Sequence, residues 1–354
     1  MRRSVHLSLR RFGVLAAGVL WLPGCTQPRP VVEEAPVAAP ARAEPFVGQV
    51  SPRRGDEIMV AGQLVHTGAP VVLWLDPPGY DGYRVTRRFA PPAEASWEAS
   101  SDSSDSPNRY GDRPGKPEGG WTPASLVGVV DQFVLHYDVA GVSRSCFRVL
   151  HDIRGLSVHF MIDLDGTIYQ TLDVKERAWH ATIANDRSVG VEIANIGAYP
   201  PGSTTLADWY RADADGPRIT LPAYLGDGGI RDKSAPMRPS RAAPVTGVVN
   251  GSALTQYDLT DAQYKSLASL SAALCTVLPR IAPDAPRDAA GRVTQQQLSV
   301  ESFEAFSGIL GHFHVQSNKV DPGPAFNWER LIRETRSLMG MSSTSQTQRA
   351  DAGS

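Results

Sequence analysis

QFVLHYDVAGVSRSCFRVLHDIRGLSVHFMIDLDGTIYQ, residues 132–170, carries the alternation of elements that decides the fold. Phe133, Val134 and Leu135 follow one another with no polar residue between them, the pattern of a central strand buried on both faces. His136 sits at the C-terminal end of that run. Ser143 to His151 reads as a helix capped by Ser143, with Phe147 and Leu150 three apart on one face. Val158 to Asp163 alternates as a strand, Asp165-Gly166 is a hairpin-turn pair, and Thr167 to Gln170 is the returning strand. Strand, helix and hairpin in succession predict an α/β domain, a central mixed β-sheet flanked by helices.

Elements on either side extend this plan. Ser188 to Ala194 (SVGVEIA) is a further strand, and a glutamate inside it, Glu192, needs a reason. Thr260 with Gln263 three residues on forms a capping box, and Tyr264, Leu267, Leu274 and Leu278 follow at helical spacing. Trp328 to Leu338 reads as a closing helix. Upstream, Glu57 to Asp76 holds short β-prone runs broken by Gly and Pro, which predict a small β-rich N-terminal extension or an added sheet edge. Ser100 to Gly120, rich in Ser, Asp, Gly and Pro, reads as an exposed connection.

Composition narrows the function classes. Of 354 residues, 42% are apolar and 20% charged, which excludes wholesale disorder, a polytopic membrane protein and a coiled coil. The 35 basic residues against 37 acidic ones leave a net charge of −2, so no global field attracts nucleic acid and none is expected as a partner. Cys25, Cys146 and Cys275 are too few for a disulfide scaffold or a cysteine-rich zinc module. A metal here must rest on histidines and carboxylates. Cys146 and Cys275 each lie on an apolar helix face, where a disulfide and two free buried thiols are both open.

The N-terminus reads as an export signal. Arg2, Arg3, Arg10 and Arg11 precede the apolar run Phe12 to Leu22, which has the length of a signal-peptide core and is too short for a lasting transmembrane helix. Leu22-Pro23-Gly24-Cys25 resembles a bacterial lipobox, with proline before the glycine as a departure from the usual pattern. That resemblance implies lipidation of Cys25 and an exported, membrane-anchored protein, with Thr26 matching outer-membrane sorting and a periplasmic position. An ordinary cleaved signal peptide is the alternative. Residues 26–54, rich in Pro, Ala, Val and Glu near their start, are expected to form a disordered tether.

The chemistry concentrates between about residues 121 and 340. Six of the eight histidines fall there: His136, His151, His159, His180, His312 and His314. The segment GHFHVQSNKVDPGPAFNW, Gly311 to Trp328, places two histidines, a lysine and an aspartate together before a Pro-Gly-Pro turn. With His136 at a strand end and Glu192 inside a strand, this is more than turn chemistry.

Together, LHYD at 135–138, SVHFMIDLDGTIYQ at 157–170, AWHA at 178–181, NDRSVGVEIAN at 185–195 and the 311–328 segment resemble the zinc-dependent N-acetylmuramoyl-L-alanine amidases. These share a fold with peptidoglycan recognition proteins and phage lysozyme-type amidases. The resemblance covers roughly residues 125–335 and leaves out residues 26–120 and the stretch from Ala198 to about Gln256.

Carried over position by position, the resemblance implies that His136, His312 and Asp321 hold Zn²⁺, a ligand set that leaves an open coordination position, the catalytic pattern. Glu192 then serves as general base and acid, and Lys319 stabilises the developing oxyanion. His180 and Asn185 fall at the substrate groove, Asn185 as the residue that holds its loop. Val158 stands where relatives carry a tyrosine, so a tyrosine-assisted route is not available at that position. On a strand, His314 would face the same side as His312 and compete with it as ligand, or orient a ligand instead. His66, His151 and His159 read as structural residues.

The expected organisation is a lipoprotein signal peptide over 1–25, a tether over 26–54, a β-rich extension and linker over 55–120, a catalytic domain over 121–340 interrupted by an insertion at 198–256, and a disordered tail over 341–354. The implied reaction hydrolyses the amide between N-acetylmuramic acid and L-alanine of the peptidoglycan stem peptide. The expected partners are peptidoglycan or muropeptides and, through the anchor, a membrane; a monomer is expected. The alternatives are a non-catalytic peptidoglycan-binding or sensing module of the same fold, and a zinc hydrolase of another peptidoglycan amide.

Overall fold

A computed structural model of the protein describes residues 53–91, 94–95 and 110–341. The signal peptide with Cys25, nearly all of the tether, much of the 100–120 connection and the residues from 342 onward lie outside the described residues.

The apolar run at 132–137 forms β5 (Gln132–Tyr137), buried along its whole length as the second strand from one edge of a six-stranded sheet. The sheet also contains β3 (Val71–Leu73), β6 (Phe160–Ile162), β7 (Ile168–Gln170), β9 (Ser188–Ile193) and β14 (Gly308–Gly311). Their spatial order is β14-β5-β9-β6-β7-β3. The first four run parallel, and β7 turns back antiparallel to β6 through the Asp165-Gly166 hairpin. The N-terminal extension is a hairpin of β1 (Glu57–Val60) and β2 (Gln63–His66), followed by β3, which completes the sheet edge beside β7.

Strand alternation separates the faces. Phe133, Leu135, Phe160, Ile162, Val189, Val191 and Ile193 enter the main apolar core with Leu267, Leu270 and Leu274 of α4 (Asp261–Val277) and Leu331 and Ile332 of α7 (Trp328–Leu338). Because side chains alternate every second residue, His136, Gly190 and Glu192 turn to the opposite face. The glutamate in a buried strand is therefore not a core residue. Thr260 caps α4 as predicted, accepting from Gln263 N while Gln263 Oε1 accepts from Thr260 N.

Two local readings are corrected. The helix after β5, α2 (Ser143–Phe147), is preceded by Val142 at its cap and has no side-chain cap; Ser143 is already inside the first turn. It continues as a π-helical turn over Arg148–Ile153, so its register changes where a plain α-helix was expected. The 100–120 connection is also more than exposed linker, for β4 (Tyr110–Asp112) pairs with β8 (Glu176–Ala178), and Arg113 after it is buried. Arg113 donates to the carbonyls of Val174, Asn185, Asp186 and Ser188, which lets a guanidinium replace the missing backbone partners of that turn.

The insertion contains α3 (Thr205–Trp209) and two hairpins, β10 (Tyr210–Asp213) with β11 (Gly216–Ile219) and β12 (Val245–Val249) with β13 (Ser252–Gln256). It has its own small core of Leu206, Trp209, Ile219, Leu225 and Ile230, closed against Val142, Leu164 and Ala194 of the main body. Cys146 and Cys275 are both buried and free, since they sit in separate apolar clusters.

Candidate metal centre

The C-terminal ends of parallel strands, where open α/β sheets bind their ligands, bring the chemical residues together. Pairing puts His136 opposite Glu192 and Leu135 opposite Gly311, so the next residue, His312, arrives beside His136. His312 opens a single helical turn, α6 (His312–Val315). Asp321 is brought back to that turn by its own carbonyl, which accepts from Phe313 N.

Three ligand atoms converge. His136 Nδ1 lies 3.0 Å from His312 Nδ1 and 2.9 Å from Asp321 Oδ2, and His312 Nδ1 lies 3.0 Å from that same oxygen. A tetrahedral ion with bonds of about 2.0–2.1 Å sets its ligand atoms about 3.3 Å apart, so this triangle needs only slight expansion to hold zinc. The donor chemistry also fits, with two imidazole nitrogens and a carboxylate that is harder to protonate than usual. Burial alone would raise Asp321, but His312 beside it and hydrogen bonds from both histidines hold its carboxyl well below the ordinary range. Burial, and then the neighbouring His312, lower His136 to about 4, so it stays neutral with a lone pair to offer.

Partners outside the triangle set the tautomers. His312 Nε2 lies 2.8 Å from Gln316 Oε1, an oxygen that can only accept, so Nε2 carries the proton and Nδ1 faces the triangle. His136 Nε2 lies 3.0 Å from His180 Nδ1, whose other nitrogen is 3.2 Å from Ser188 Oγ. With His136 Nδ1 turned to a metal, Nε2–H donates to His180, which in turn donates to Ser188. The close approach of His180 depends on Gly190, where a Cβ would fall 2.6 Å from the imidazole.

The resemblance implies a place for His180 at the substrate groove; in the structure it lines the cavity beside the triangle, with its nitrogens engaged by His136 and Ser188. Asn185 lies behind the groove, its Oδ1 accepting from the backbone of His180 and Ala181. His314 does not compete with His312. In a helical turn, residues two apart point about 200° apart, and His314 instead bonds Gly311 N and the carbonyl of Thr294. His159 is fully buried, accepting from Gly190 N and facing the carbonyl of Glu176.

Glu192 and Lys319 share the groove with the triangle, together with Arg154 and Trp179. Burial, then the charges of Asp321 and Asp138, raise the Glu192 carboxyl well above the usual range, opposed by Arg154 and Lys319. Val158 is buried in an apolar cluster with Phe147 and Met161. The sequence reading did not single out Gln316 or Asn250. Gln316 stands four residues after His312, a helical spacing hidden by reading the segment as strand. Asn250, in the turn of the β12–β13 hairpin, donates to the carbonyls of Phe313, Gln316 and Lys319 and so holds the loop that carries Lys319. The other cluster of this composition among the described residues, Asp56, Glu57 and His66, has its acceptors occupied by backbone N–H groups and by His66 itself.

The sequence pattern of the family described as N-acetylmuramoyl-L-alanine amidase matches residues 127–324. A relative named 1,6-anhydro-N-acetylmuramyl-L-alanine amidase AmpD, from Citrobacter freundii, is 25% identical over 227 residues, covering 62% of this chain and 72% of its own. Its namesake from Salmonella typhimurium is 23% identical over 239 residues, covering 65% and 76%. Among solved structures, the amidase AmiD from E. coli, in complex with anhydro-N-acetylmuramic acid-L-Ala-D-gamma-Glu-L-Lys, aligns over 69% of this chain and 72% of its own, with 16% identity and a TM-score of 0.31.

Proposed function

The chain belongs to the N-acetylmuramoyl-L-alanine amidase family, and from that premise we propose that the His136–His312–Asp321 triangle is its zinc centre and Glu192 its general base. The observation that carries this reading is the convergence of three ligand atoms within 3.0 Å of one another beside Glu192, in a groove that also holds Lys319. Zinc bound there would supply Lewis acidity, polarising the scissile carbonyl and easing loss of a proton from water.

The chain's own groups perform the remaining steps. Glu192, made a stronger base by burial, takes the proton of the attacking water and passes it to the departing alanine nitrogen. A bond forms from water oxygen to the lactyl carbonyl carbon, the carbon–nitrogen bond breaks, and the products are a muramyl carboxylate and a free stem peptide. Lys319 offers its ammonium to the negative charge that develops on the carbonyl oxygen. Gln316 and His180 hold the two imidazoles in the tautomers that turn Nδ1 inward. Muropeptides, including those with the 1,6-anhydro end for which the relatives are named, are the substrate class this reading assigns.

Mass spectrometry of defined muropeptides tests it, with the zinc-loaded protein lacking residues 1–25, with and without chelator, beside Glu192→Gln. Release of an intact peptide beginning at L-alanine, lost on chelation and in the variant, supports the reading. Binding without cleavage would point to a sensing module, and cleavage elsewhere in the peptide would replace the assigned bond. Export and lipid attachment at Cys25 are part of the same proposal, supported by the basic and apolar leader and Leu22-Pro23-Gly24-Cys25. Fatty-acid labelling lost in Cys25→Ser, with the protein released from membranes, is the expected result; labelling unchanged in that variant would remove the anchor.

A further inference from the structure

Among the described residues, four non-glycine residues, Ala61, Val139, Thr182 and Asn250, have left-handed backbone conformations. Val139 and Thr182 are β-branched, for which this region is a true outlier. Val139, with φ of 53°, is the one among these four that lines the metal groove. Val139 is 51% exposed, so core packing does not compensate the strain.

The surrounding loop over-determines this conformation. Asp138 Oδ1 accepts from Ala140 N, Gly141 N and Asn195 N, which closes a tight turn around Val139. Gly141, with φ of 74°, lies under Trp209, whose ring a Cβ would approach to 2.3 Å. Trp209 belongs to the insertion and is anchored in the insertion's own core. The insertion contributes no groove-lining residue; it braces the back of the Val139 loop, as Asn250 braces the Lys319 loop. Strain held in place by three hydrogen bonds and a packed tryptophan is of the kind that clusters at active sites and ligand clamps.

We propose that Val139 is a specificity-determining residue whose isopropyl group is held by the insertion-braced loop against a methyl group flanking the scissile amide. The inference rests on the amidase reading. Val139 follows His136 by three residues, within about 10 Å of chain, and Val149, Leu150 and Leu156 add apolar surface to the same groove. The substrate has two such methyls next to the reacting bond, the lactyl methyl of muramic acid and the methyl of L-alanine.

Val139→Asn tests this, because asparagine tolerates the left-handed region and lacks the apolar contact. The variant's thermal midpoint should rise by roughly 2–4 °C, its zinc affinity should not change, and its kcat/KM for a muramoyl tripeptide should fall about 10-fold or more, mainly through KM. The penalty should vanish on whichever analogue lacks the touched methyl, glycine for L-alanine or a glycolyl for the lactyl group, which identifies the contact. A lowered midpoint overturns the strain argument. A kcat/KM within about twofold of wild type, or an equal penalty on all three substrates, overturns the contact. If the wild-type protein releases no peptide, the amidase reading fails separately; calorimetric binding of the same three muropeptides to wild type and Val139→Asn then decides the Val139 contact alone.

Discussion

At the residue scale, the site depends on which nitrogen of each imidazole carries a proton. Gln316 settles this for His312 through an oxygen that can only accept. For His136 the partner is another imidazole, His180, itself directed by Ser188. Partners of this kind typically change metal affinity by about 10- to 100-fold when removed. His180→Ala should therefore weaken zinc binding by about that factor in a competition with a chromophoric chelator, while His180→Asn, which can still accept through its amide oxygen, should recover part of it. An affinity unchanged in His180→Ala would mean that His136 is oriented by packing alone. AWHA was legible as a motif, but its histidine's partner depends on Gly190 being a glycine in the neighbouring strand, a fact about contact rather than order.

At the element scale, two junctions carry the site's frame. The α4 cap does more than begin a helix: Thr260 Oγ1 donates to Leu164 O and Gln263 Nε2 to Ala194 O, tying the helix start to the ends of β6 and β9. Thr260→Ala should cost about 1–2 kcal/mol in urea unfolding and leave zinc affinity unchanged. Arg113 spans the β4–β8 pair and the loop that precedes β9. Arg113→Met leaves several buried carbonyls without donors, each worth roughly 1–3 kcal/mol, so a loss of at least about 3 kcal/mol in the same assay is expected. The capping box could be read directly, because its partners are three residues apart. Arg113 could not, because its carbonyl partners lie 61 to 75 positions away.

At the scale of the whole molecule, stability should depend on pH through histidines buried without charge. Burial, and then the nearby Arg113, lower His159 to about 3. A histidine with a depressed folded value takes up a proton only on unfolding, so its contribution is full above the unfolded value near 6.5 and drains away as pH falls through it toward 3. Between pH 7 and pH 4 this one residue should remove roughly 3 kcal/mol. Asp138 and Asp163, raised by burial to about 7 and about 8, act in the opposite sense, losing stability as pH rises toward those values. Urea unfolding of the metal-free protein at both pH values, for wild type and His159→Gln, isolates the histidine; equal pH dependence in the two would contradict its assignment.

The division between what sequence and tertiary structure each determined follows from the range of the forces involved. Sequence alone determined the strand–helix–hairpin order, the capped α4 helix, the α7 boundaries and the ligand and base candidates, because periodicity, caps and turns act within a few residues. It also carried the family motifs. The folded chain decided that His312 rather than His314 faces His136, because one helical turn replaced the expected strand. It likewise turned His180 toward His136, buried Arg113 in an apparent linker and braced the Val139 loop from an insertion about 70 residues later. Each of these outcomes depends on which distant segments pack together, and that choice is made by burial over the whole molecule.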